Sequence, residues 1–175
     1  IPYISPYNVH SILNPILVMC MGLGYYFNMY KGMPLVREGG VIIMTHPTQP
    51  DFHPVHHPSY IDFFEQVLAD TTDPKVMSEK WEKQYAEDEW YKHLYRTTYA
   101  YHGVHPFYMW YWGSHALQHC SRIIIVGGDP KTVRRLGFVP ASTMDDALEI
   151  ASDVVGRAPT ITHLHAPPLM VADVS

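Results

Sequence analysis

Two runs of β-branched and aliphatic residues set the frame of this chain: Val41, Ile42, Ile43, Met44 and Ile123, Ile124, Ile125, Val126. Neither alternates with polar residues. Gly39-Gly40 precedes the first and Gly127-Gly128 follows the second. A strand with one wet face alternates, whereas a strand covered on both faces reads as an unbroken apolar run. The two runs are therefore expected as central, parallel neighbours in one sheet. An earlier run over residues 16–21, ahead of Gly22 and Gly24, has similar length and composition and is expected as another strand. A short helical segment carrying Asn28 and Lys31 would join it to residues 41–44, making a strand–helix–strand crossover.

Asn28 and Lys31 are three positions apart and share a helix face. They fall just beyond the end of the expected first strand, the edge at which open α/β sheets hold ligands. An ammonium and an amide there can grip a carboxylate. The plainer alternative is a solvated helix end, where a lysine favours the dipole.

The rest of the chain alternates helix and strand signals. Residues 1–14, punctuated by Pro2 and Pro6, read as an irregular lead-in with a short extended piece at Tyr3-Ile4. A helix is expected over residues 58–70, with Ile61, Phe64, Val67 and Leu68 inward. A second is expected over 75–95, and a third, dense in aromatics, over 103–120. Asp129 and Pro130 open a short helix that Gly137 stops; Thr143 caps another that runs to Val155 and stops at Gly156. Residues 160–165 read as a last strand. The fold class is α/β: one three-layer domain over residues 1–175, with a mostly parallel sheet of four or five strands flanked by helices.

Two stretches carry a resemblance. Asn28, Lys31-Gly32 and, after a spacer, Glu38-Gly39-Gly40-Val41-Ile42-Ile43-Met44 resemble the C-terminal domain of the nickel-dependent lactate racemase family. Residues 123–126, then Val133-Arg134-Arg135-Leu136-Gly137-Phe138-Val139-Pro140-Ala141 and the segment 143–151 are similar to that family's closing strand, turn and helix. The family usually has glutamine in place of Asn28, and a glycine-rich segment where this chain has a histidine-rich loop. The resemblance implies the lid and substrate-gripping domain of an enzyme acting on a 2-hydroxy acid, inactive by itself, with Asn28 and Lys31 facing the substrate. It further implies a nickel-pincer nucleotide held by the N-terminal domain of the same protein, and none in this domain. That the chain opens on Ile1 fits the expectation of a C-terminal domain from a longer two-domain protein.

Composition narrows the alternatives. A formal net charge of -5 with no basic cluster argues against nucleic acid as a partner. The longest apolar stretch, residues 16–27, is too short to span a bilayer, so no membrane role is expected. Two cysteines make no disulfide framework, and a reducing cytoplasm is the expected location.

Three further features carry candidate chemistry. His46, His53, His56 and His57 lie in one proline-rich loop after a strand and are candidate metal ligands; the alternative is a surface loop with incidental histidines. A metal-binding regulatory module would rest on this loop. The aromatic segment around Tyr99, Tyr101, His105, Tyr108, Trp110 and Trp112 suits either a pocket wall or a core, and an aromatic-rich protein interaction domain would rest on it. Within that segment His115 and His119 have the i, i+4 spacing of a metal pair without the glutamate of a zinc-protease motif. Gly127-Gly128-Asp129-Pro130 reads as a capped turn, since Asp129 would repel a phosphate.

Overall fold

The computed structural model describes residues 13–27 and 33–164. Asn14 opens the first helix, its side-chain oxygen accepting from the amides of Ile16 and Leu17, with Pro15 in the first turn. Helix α1 (Pro15–Met19) runs without a break into a π-wound segment, Cys20–Tyr26. The run at residues 16–21 is thus helix, not the expected strand, and the strand–helix–strand crossover is not formed. A short apolar run is compatible with either element. The Asn-Pro pair decides: it satisfies the first amides and presets the backbone of a helix start.

Strand β1 (Val41–Thr45) follows the Arg37–Gly40 turn, in which Gly39 takes φ 73°. The expected helix over 58–70 forms as α2 (Pro58–Asp62), a π-wound Phe63–Val67 and α3 (Leu68–Asp70). Phe64, Val67 and Leu68 are buried as expected, but Ile61 is exposed. The expected 75–95 helix is two helical runs. α4 (Pro74–Met77), a π-wound Ser78–Glu82 and α5 (Lys83–Glu87) end at Asp88, whose extended backbone and side chain then cap α6 (Glu89–Thr97). α7 (His105–His119) carries Pro106 in its first turn and leads to β2 (Arg122–Val126).

α8 (Pro130–Arg135) is capped by Asp129 and closed by Gly137 at φ 79°, as expected. β3 (Val139–Ala141) was expected only as part of a turn. α9 (Met144–Val155) begins with a capping box between Thr143 and Asp146 and stops at Gly156. Ala147 and Ala151 face inward, whereas Leu148 is exposed. Residues 160–164 are exposed and form no strand, because no strand among the described residues offers them a ladder.

The three strands pair in the order β1-β2-β3, all parallel, with Ile43 opposite Ile124 and Ile125 opposite Pro140. Parallel pairing of β1 and β2 is as expected; the central place of both is not. β2 is central, while β1 is an edge among the described residues and Val41, Ile42 and Ile43 are only half-buried. An apolar run reports cover above and below a strand, not its lateral position. Ile124, Ala141, Ala147 and Ala151 join the sheet to α9 on one face. Met44, Ile123 and Ile125 point the other way, into a larger core with Leu17, Leu23, Phe63, Phe107 and Trp110. The result is a layered α/β fold with α9 on one side of the sheet and the main helical body on the other.

Candidate functional site

Asn28 and Lys31 lie outside the described residues. The loop after β1 supplies the rest of the polar chemistry, and its histidines go to two different places.

His46 stays at the sheet. Its amide extends the ladder to the Val126 carbonyl, and its Nδ1 accepts the Thr48 amide at 2.9 Å. Thr48 is buried with φ 42°, a left-handed backbone uncommon for a non-glycine residue, and its hydroxyl donates to the His46 carbonyl at 3.1 Å. The Asp129 amide donates to the Pro47 carbonyl and ties this corner to the next loop. Beyond the carboxyl ends of β1 and β2 lies an open hollow of about 390 Å³, lined by Gln49, Pro50, Asp51 and Asp129. Hydrogen bonds from the Thr132 hydroxyl and amide hold the Asp129 carboxyl below the usual carboxylate range. With two carboxylates and no cation in its lining, the hollow repels anions, which agrees with a capped turn at Gly127–Pro130.

His53, His56 and His57 join the aromatic segment. His53 and His56 rings lie 4.6 Å apart, and the His53 Nδ1 accepts the His56 amide. His56 Nδ1 reaches the Tyr99 carbonyl at 3.1 Å, and Tyr101 donates its amide to the His56 carbonyl. Below this exposed rim the rings stack in a column. His57 is fully buried and lies parallel to Tyr101 at 5.4 Å, and Tyr101 lies parallel to His105 at 4.4 Å.

His57 is buried and His105 half-buried, and each ring nitrogen Nδ1 has a polar partner. The Asn14 amide nitrogen contacts His57 Nδ1 at 3.3 Å; since an amide nitrogen only donates, Nδ1 accepts and the proton sits on Nε2. The Tyr60 hydroxyl is hydrogen-bonded to His105 Nδ1 at 2.6 Å. Burial, and after it the neighbouring His102, lowers His105 to about 4. Such a group is a poor proton acceptor at neutral pH.

Among the described residues, no three His, Cys, Asp or Glu side chains are grouped to hold a metal ion. His115 and His119 belong to no such group. Their rings flank Phe27 at 5.6 and 5.3 Å, and His119 Nε2 donates to the Val36 carbonyl at 2.8 Å. The aromatic helix divides by face. Phe107 and Trp110 are core; Tyr108 and Trp112 are half-exposed. The core reading therefore holds for one side of α7, and the other side carries exposed aromatic rings.

Two partners of the column, Asn14 and Tyr60, were not among the candidates. Asn14 had a local signal as a cap before Pro15. Tyr60 had none, because its role depends on α2 meeting α7. No family model, no curated protein and no solved structure matches the chain.

Proposed function

We propose that this chain is the lid and substrate-gripping domain of a lactate-racemase-like enzyme that acts on a 2-hydroxy acid. The observation that supports this best is the closing segment. The residues that carry the resemblance there form a strand, a capped short helix, a strand and a capped helix over residues 122–155, an order that accommodates the implied closing strand, turn and helix. Support is weaker at the other end, where residues 16–21 are helical.

In this reading Lys31 holds the substrate carboxylate and Asn28 a neighbouring oxygen. The nickel-pincer nucleotide belongs to the N-terminal domain of the same protein, where it supplies hydride transfer at the substrate's α-carbon. What remains to this chain's own residues is to bind, orient and exclude water. The sheet of the complete domain has four or five strands, more than the three that pair among the described residues. The protein works in the cytoplasm, with neither nucleic acid nor membrane as a partner. Among the described residues, no helix is long and apolar enough to cross a membrane.

The test joins this chain to a cofactor-loaded N-terminal domain and follows the interconversion of 2-hydroxy acid enantiomers by chiral chromatography. Turnover that needs this chain, and a KM raised at least tenfold by Lys31→Ala, are expected. Absence of turnover across a panel of 2-hydroxy acids overturns the proposal.

A second reading, an aromatic-rich interaction domain, is favoured by the exposure of Trp90 (61%), Tyr99 (81%) and Trp112 (53%). Stable, stoichiometric association of the isolated chain with a protein other than a racemase N-terminal domain would select it.

A further inference from the structure

The chain's acidic balance hides a local exception. Three of its twelve Lys and Arg residues, Lys131, Arg134 and Arg135, fall on the six-residue helix α8. They face the turn after α3, where Thr71 and Thr72 lie, and together with Leu68, Ala69, Asp70 and Gly137 they line a cleft of about 590 Å³.

The acidic groups nearby are already engaged. Asp70 accepts from Lys80 Nζ at 2.8 Å and from the Trp81 indole at 2.8 Å, which lowers its carboxyl below the usual range. Arg135 is held by the Phe64 carbonyl at 3.0 Å, by Glu65 at 3.6 Å and over the Phe64 ring. Lys131 and Arg134 form no ion pair among the described residues, and Arg134 makes one weak bond to the Pro130 carbonyl at 3.3 Å. Asp129, which Lys131 helps to hold low, gives its carboxylate to Thr132. Two exposed cations and a third, anchored guanidinium therefore border a concave surface that has threonines on its other wall.

We propose that this cleft binds a compact polyanion of the pyrophosphate class. Cations gathered along one side of an open surface hollow concentrate anions, and guanidinium groups favour the paired oxygens of phosphate. No aromatic ring lines the cleft, so it has no platform for a base, and the ligand is recognised by its phosphates alone. Gly137, at φ 79°, closes α8 and brings the chain past Thr72 at this hollow. The inference is independent of the racemase reading, since it uses neither Lys31 nor the cofactor.

The test is titration of the 175-residue chain with inorganic pyrophosphate and, separately, with ADP at constant ionic strength, followed by calorimetry and backbone amide shifts. Saturable pyrophosphate binding is expected, with shifts at Thr71, Thr72, Lys131 and Gly137 and with ADP within about threefold in affinity. Lys131→Ala/Arg134→Ala should weaken binding at least tenfold. Lys75→Ala/Lys83→Ala, which removes the same charge from exposed i, i+4 pairs, should change it less than twofold. No saturable binding, equal weakening in the two double variants, or shifts confined to other regions overturns the proposal. ADP binding tenfold tighter than pyrophosphate overturns the assignment of ligand class. The shift mapping needs no variant, so it decides the question even if a substitution disturbs the fold.

Discussion

Trp112 rests against Gly24: a Cβ built on the glycine would stand 2.0 Å from the indole Cδ1. One step away on the same pair of helices the roles are exchanged, and a Cβ on Gly113 would stand 2.4 Å from the Met19 sulfur. The two glycines let the helical run from Pro15 and α7 approach closely, and this contact carries the aromatic helix onto the core.

The two contacts differ in what can yield. Met19 is 1% exposed and can yield only by repacking the core, whereas Trp112 is 53% exposed and can swing toward solvent. Alanine also gains about 1 kcal/mol of helix propensity at either position. Gly113→Ala is therefore expected to destabilise by about 1–2 kcal/mol net, with overpacking outweighing propensity. Gly24→Ala should stay within about 1 kcal/mol of neutral. Urea denaturation of both variants checks the ranking, and a larger loss at Gly24 would mean that Trp112 is fixed in place.

Asn14→Ala removes the cap from the Ile16 and Leu17 amides and the donor from His57 in one step. A lost cap costs about 1 kcal/mol and a buried group left without its bond costs about 1–3 kcal/mol. The expected loss is about 2–3 kcal/mol. A smaller value, below about 1 kcal/mol by chemical denaturation, would show that water replaces both interactions.

How much of this was legible beforehand depended on whether the signal was local. Caps and stops were: Asp129, Thr143, Gly137 and Gly156 each act within a few residues, and each sits where it was expected. The pairing of β1 with β2 was legible from composition. Residues 16–21 were not, because a fully buried helix and a fully buried strand share one composition, and the deciding residue, Asn14, lay outside the run. The break at Asp88 was hidden because acidic residues are also ordinary on a helix surface. The candidate histidines were found one by one, but their sorting was not. His46 folds back on Thr48, while His57 enters a column with Tyr101 and His105, 44 and 48 positions later in the chain. Such contacts are set by tertiary packing alone.

The column makes stability depend on pH. His105 is held neutral in the fold, at about 4 against 6.5 for an ordinary histidine, so the unfolded chain takes up the proton first. Its contribution is fully present above pH 6.5 and is lost as the pH falls toward 4. The groups facing it are the Tyr60 hydroxyl, the Tyr101 ring and His102, none of which supplies a negative charge to offset protonation. After allowance for its partial exposure the loss amounts to about 2 kcal/mol. Urea midpoints should therefore drop between pH 6.5 and 4.5, and His105→Gln should flatten much of that drop. An equal slope in the variant would assign the effect to other groups.

Cys20 and Cys120 form no disulfide, and both are buried. Burial raises the Cys120 thiol to about 11, which leaves about one part in ten thousand as thiolate at pH 7. Cys20 donates its thiol to the Met109 sulfur at 3.7 Å and is fully covered. Since only an accessible thiolate attacks a disulfide reagent, neither cysteine should react with an aromatic disulfide probe in the native protein over minutes at pH 7.5. Both should react within seconds in guanidinium. The slow native reaction then reports opening of the helical body around α7, so Gly113→Ala should speed it by roughly the factor that its stability loss predicts, about tenfold for each 1.4 kcal/mol. Fast labelling of the unmodified native chain would place one of these thiols at an open surface and contradict the packing of α7 described above.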